Sequence, residues 1–143
     1  MQREILFRGK KHRGGWAYGS LIVAEEFCCI LEDEANVHPM DYPYFDGELG
    51  VIDGHVTPVV PETVGQWTGL VDKNGIKIFE GDIMRGYGQI RSVIYDVKHA
   101  EFEFDSNDPV YNPDGMTLFF DCEYSEIIGN VYDNTELLEK ERR

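Results

Sequence analysis

The chain has 143 residues, 42% apolar and 13% aromatic, and its 27 Asp and Glu against 13 Lys and Arg give a net charge of −14. That length buries about two-thirds of the unfolded surface as one domain, and the apolar content excludes a disordered chain. The charge excludes a broad phosphate-gripping surface, because that mode of nucleic-acid binding needs Lys and Arg to displace counterions.

In chain order, strand signals dominate. Glu4–Arg8 is a short apolar run, Gly9–Gly15 is a Lys/Arg/Gly-rich connection, and Trp16–Val23 is aromatic and β-branched. Two such runs around such a connection predict a β-hairpin. Phe27–Leu31 continues the meander as a third strand. From Glu32 onward Asp, Glu, Pro and Gly break the pattern, and Tyr42-Pro43-Tyr44-Phe45 is too Pro-interrupted for a central strand. Residues 32–61 therefore read as a surface excursion whose aromatics pack down on the fold. Within it, Val51–Asp53 and His55–Val60 predict a short strand pair turning at Asp53-Gly54.

The next stretch has the clearest grammar. Thr63–Leu70 is extended, and Asp72-Lys73-Asn74-Gly75 is a turn, since Asn-Gly tolerates the positive φ of a tight reversal. Ile76–Phe79 closes that hairpin, and Glu80-Gly81-Asp82 is a second turn before Ile83–Arg85. Gln89–Asp96 and Ala100–Asp105 form another pair. The second member sets Phe102 and Phe104 on one face and Glu101, Glu103 and Asp105 on the other, the mark of a half-buried antiparallel strand. Ser106–Gly115 is a loop, Met116–Phe120 a further strand and Ser125–Tyr132 a closing one. Asp133 with Glu136 three residues on predicts a capped helix through Glu141. The whole predicts a mainly β single domain over residues 1–143. It is a small antiparallel barrel-like or sandwich-like fold with a short C-terminal helix.

No catalytic residue, metal site or cofactor emerges. The histidines His12, His38, His55 and His99 include no pair at helical metal-ligand spacing, and Cys28-Cys29 lacks the gap of a zinc half-site. These two with Cys122 make no disulfide framework, and Cys28 and Cys29, in an apolar strand, read as core thiols. Asp72–Gly75 opens like a calcium loop, but Ile83 stands where the closing Glu is required. Gly86-Tyr87-Gly88 lacks the Gly-Lys-Ser/Thr of a phosphate loop, and the Glu80/Asp82 carboxylates read as turn residues. No apolar leader and no run of about 20 apolar residues is present, which predicts a soluble cytoplasmic protein. Arg8, Lys10, Lys11, His12 and Arg13 read as a solvated hairpin tip. The alternative is a nucleic-acid-binding barrel that uses this basic cluster with Trp16, Trp67, Tyr87 and Tyr95 as stacking surfaces.

Four segments together resemble the YopX family of bacteriophage and prophage proteins. They are Arg3–Lys10 leading to Trp16-Ala17-Tyr18-Gly19, Thr63–Leu70, Asp72–Ile83 and Ile127–Leu138, in that order along nearly the whole chain. The resemblance implies a mostly β, barrel-like fold and a phage or prophage setting in a bacterial cytoplasm. It implies no catalytic residue and no cofactor. A ligand surface shared through these motifs would use their polar side chains Gln66, Asp72, Lys73, Asn74, Glu80, Asp82 and Asn130. With the negative charge, this predicts a non-enzymatic accessory protein that binds a host or phage protein through an acidic surface, as a monomer or a homo-oligomer.

Overall fold

The computed structural model describes residues 3–25, 27–32, 56–105 and 122–141. The Tyr42–Phe45 segment, the Val51–Asp53 arm with its Asp53-Gly54 turn, the Ser106–Gly115 loop and the Met116–Phe120 strand lie outside them. The chain forms two compact units, residues 1–66 and 67–143.

The first unit is an antiparallel meander of β1 (Phe7–Lys10), β2 (Trp16–Ala24), β3 (Phe27–Glu32) and β4 (Val56–Pro58). β1 pairs with β2 from Phe7–Gly19 to Lys10–Trp16, and β2 with β3 from Gly19–Glu32 to Ala24–Phe27. The first strand thus runs past Gly9, two residues beyond the sequence expectation, and the reversal is confined to residues 12–15. Lys11 N–H closes it on Gly15 O at 2.9 Å. Gly9 belongs in the strand because a Cβ there would meet Val59 Cγ2 at 2.7 Å, so only glycine lets Val59 pack against β1. Ala17, Cys28, Ile30 and Val59 form the buried core, with Phe7, Leu21 and Val64 against it. β4 pairs with β3, Cys29 opposite Pro58. Thr63, expected to be extended, instead ends a 3-10 turn over Pro61–Thr63. Its hydroxyl donates to Val60 O at 2.6 Å and accepts from Lys10 N–H at 2.9 Å, side-chain bonds that an extended residue would not make.

β5 (Gly65–Val71) begins in the first unit, where Gly65 and Gln66 pair with Arg8 and Phe7, and continues into the second. There it pairs with β6 (Lys77–Phe79), Trp67 opposite Phe79 and Val71 opposite Lys77, with a register shift between the two pairs. Side chains fill the interrupted ladder. Thr68 Oγ1 donates to Ile78 O at 2.9 Å and accepts from Leu70 N–H, while Trp67 Nε1–H donates to Leu70 O at 2.8 Å. A four-stranded antiparallel sheet follows, made of β7 (Asp82–Gly86), β8 (Gln89–Asp96), β9 (Glu101–Asp105) and β10 (Glu126–Asn130) in the order β10-β7-β8-β9.

Phe104, from the alternating strand, is buried with Ile78, Met84, Val93 and Cys122 in this unit's core, against which Leu70, Phe102 and Ile127 pack. The fold is mainly β with open sheets: among the described residues no end strand pairs back on the other end of its sheet, so the barrel alternative falls away. The closing strand is shorter than expected because Asn130 bends the chain. Its Oδ1 accepts the N–H groups of Tyr132 and Asp133 at 3.0 and 2.9 Å. Asp133 is thereby held in that turn, and the helix α1 starts three residues later, over Glu136–Glu141.

Candidate functional site

Asp72 directly follows β5 and is 4% exposed. Oδ1 accepts the N–H groups of Asn74 and Ile76 at 2.8 and 3.0 Å, and Oδ2 accepts Ile127 N–H from β10 at 3.0 Å. One side chain therefore shapes the turn and ties it to a strand 55 residues away. Gly75, at φ +79, supplies the left-handed step that Asn-Gly predicts there. Lys73 N–H donates to Ser125 O at 3.0 Å, and its ammonium lies 3.8 Å from Glu126 Oε2. Asp82 is 2% exposed and takes Phe79 N–H on Oδ2 at 2.8 Å, closing the Glu80-Gly81 turn.

Asn130 stands opposite Asp82 in the β7–β10 ladder. The polar motif residues of the second unit thus fall into two groups at opposite ends of β10. Asp72 and Lys73 bond residues 125–127 and Asn74 N–H bonds Asp72 Oδ1, while Asp82, which closes the turn holding Glu80, stands opposite Asn130. Gln66 is not among them, as it lies in the first unit opposite Phe7. Asp72, Asp82 and Asn130 have oxygens engaged by backbone N–H groups, which is the chemistry of turn construction.

A second carboxylate set lies on the β8–β9 hairpin. Asp96 pairs with Glu101, Ile94 with Glu103 and Ser92 with Asp105, so Asp96, Glu101, Glu103 and Asp105 share one face. The opposite face carries Val93, Tyr95, Phe102 and Phe104, with Tyr95 edge-on to Phe102 at 5.2 Å between centroids. Asp96 Oδ1 accepts Lys98 N–H at 2.9 Å, and Oδ2 is hydrogen-bonded to Nδ1 of His99, which stands in the four-residue turn. One ligand atom each from Asp96, His99 and Glu103 lies within 4.8 Å of the others, a set able to hold a divalent ion. The hydrogen bond to His99 holds Asp96 below its usual pKa and, with the carboxylate's charge, raises that of His99. Burial, then the charges of Asp96 and Glu101, pushes Glu103 upward. Sequence reasoning sought histidine pairs and missed this group; its signal is Asp-x-x-His spanning a hairpin turn with Glu two residues into the return strand.

The other sequence candidates are placed as follows. Arg8 is 5% exposed, with its guanidinium 4.8 Å over the Trp16 ring, so it does not face solvent with the rest of the basic cluster. Lys11 lies 3.8 Å from Glu32. Trp67 lies under the Lys77 ammonium at 4.8 Å, whereas Tyr87 and Tyr95 are exposed. Cys28, Cys29 and Cys122 are buried, and burial raises the pKa of Cys28 and Cys29, which disfavours their thiolates. Among the described residues no helix is long and apolar enough to cross a membrane.

A family model described as YopX protein matches residues 25–139. The crystal structure of protein EF1440 from Enterococcus faecalis is similar in fold. Its TM-score is 0.53 at 20% sequence identity, over 94% of this chain and 98% of that one. No curated protein sequence matches the chain.

Proposed function

The chain belongs to the YopX family, and from that premise we propose that it is a non-enzymatic accessory protein of a phage or prophage that docks on a basic host or phage protein in the bacterial cytoplasm. The observation that carries this reading is the β8–β9 face, where Asp96, Glu101, Glu103 and Asp105 stand together on a hairpin that is, among the described residues, at the edge of its sheet. Charges gathered on a two-stranded ribbon with a net charge of −14 behind them steer a cationic partner and set its register more than they set raw affinity. The binding rather than catalytic reading is supported by Asp72 and Asp82, whose carboxylates are occupied by backbone N–H groups.

The test is affinity capture from host lysate with tagged protein, run beside a Glu101→Gln/Glu103→Gln/Asp105→Asn variant. The expected result is a basic protein retained by the native chain at low salt, released at moderate salt and absent from the variant eluate. Equal retention by both proteins, or release that ignores salt, would overturn the docking reading.

A further inference from the structure

We propose that the β8–β9 hairpin binds one divalent first-row transition-metal ion, Zn2+ foremost, through Asp96, His99 and Glu103. The three residues come from the end of β8, the turn and β9, and the ladder register fixes where they meet. Asp96 stands opposite Glu101, and Glu103 follows two residues on along the same face. A diagonal pair of that kind is within reach of long side chains. The turn brings His99 over the same carboxylate, and the ligand atoms gather within 4.8 Å of one another. Zinc bonds of about 2.0–2.2 Å would set tetrahedral ligands roughly 3.4 Å apart. The widest of these separations therefore closes by up to about 1.4 Å on binding while the Asp96–His99 pair opens to admit the ion, and His99 can move because its side chain is 68% exposed.

Two further features favour a cation over a bare ion pair. Asp96 and Glu101 are like charges directly opposite in the ladder, an arrangement that destabilises a hairpin unless something compensates it. Glu103 adds a third carboxylate to the same face, and a dication would offset their mutual repulsion. Asp96 is also prepared as a ligand: Lys98 N–H fixes Oδ1 at 2.9 Å and leaves Oδ2 directed at the cluster. Such an outer hydrogen bond orients a metal-binding carboxylate.

One imidazole nitrogen with two carboxylates suits Zn2+, Co2+ or Mn2+, whereas Ca2+ takes six to eight oxygens. On binding, His99 releases any proton on its ligating nitrogen to solvent, and its hydrogen bond to Asp96 Oδ2 gives way to two bonds to the ion. Water completes the coordination shell. The ion would share Asp96 and Glu103 with the docking face, but its binding is read with no partner present, so either reading can fail without the other.

Calorimetric titration of the full chain with ZnCl2 tests it, with Co2+ absorption as the second readout. The expected result is one saturable site, weakened at least about tenfold by His99→Ala and by Glu103→Gln. Glu101→Gln, which lowers the same local charge without removing a ligand, should weaken it by no more than about threefold, and His12→Ala should leave it unchanged. His99 is exposed, so its substitution leaves the fold intact, as circular dichroism would register. Three results would each overturn the proposal: no saturable heat, undiminished affinity in His99→Ala, or equal losses in Glu101→Gln and Glu103→Gln.

Discussion

Two turns of the second unit each begin with an aspartate, and the two aspartates do opposite things. Asp72 and Asp96 both use Oδ1 to accept the N–H two residues ahead, the local bond that makes Asp a turn former. The difference lies in the second oxygen. That of Asp72 accepts a backbone N–H from β10 and is sealed in. That of Asp96 meets the imidazole of an exposed histidine, beside Glu103. The same residue at the same place in a turn is a brace where a backbone donor from a distant strand meets its second oxygen and part of a side-chain cluster where an imidazole does. Tertiary cover, not local sequence, decides which.

The largest effect that would sharpen this contrast is Asp72→Ala. It strands three backbone donors, two in the turn and one in β10, and should cost about 3 kcal/mol or more, read as a lower urea midpoint. A midpoint near that of the native chain would break the contrast outright. Asp82→Ala comes next, at about 1–3 kcal/mol for the buried Phe79 N–H; near-native stability would show that the turn closes without it.

A smaller, pH-dependent effect belongs to Glu126. Its hydrogen bond from Arg85, at 2.6 Å, and the charge of Lys73 hold its carboxyl below the usual 4.5. A folded value below the unfolded one gives stability that is present above the unfolded pKa and lost as pH falls through the folded one. Denaturation midpoints followed from about pH 6 to pH 3 should therefore decline less steeply in Glu126→Gln than in the native chain. Parallel slopes would remove the carboxylate from the acid response. Smallest of all is the stability effect of Asp96→Asn, which should leave the midpoint near its native value. The same substitution lowers the His99 pKa back toward 6.5, visible in an NMR titration of the imidazole. An unmoved His99 titration would show that the two side chains do not pair in solution.

The strand pattern was largely legible in the sequence because alternation and turn chemistry are local. Phe102 and Phe104 alternate with Glu101, Glu103 and Asp105, and the strand stands where that alternation places it, with Phe104 buried. Gly75 turns the chain where Asn-Gly predicts. Boundaries set by distant partners were not legible. β1 extends through Gly9 because Val59, 50 positions away, packs against it, and α1 starts late because Asn130 captures the N–H of Asp133.

The site shows the same division. The motif polar residues stood out in the sequence, yet what Asp72 touches depends on Ile127, which no local pattern reveals. Asp96, His99 and Glu103 each looked unremarkable, and only the register of β8 on β9 brings them to one face.

The most direct measurement is a residue-resolved amide NMR map of the chain titrated with a lysine-rich peptide at low salt. The account predicts that the largest shifts fall between Asp96 and Asp105 and that Asp72, Lys73, Asn74, Glu80, Asp82 and Asn130 stay close to their free positions. Shifts centred on those six residues, with the β8–β9 hairpin silent, would contradict it.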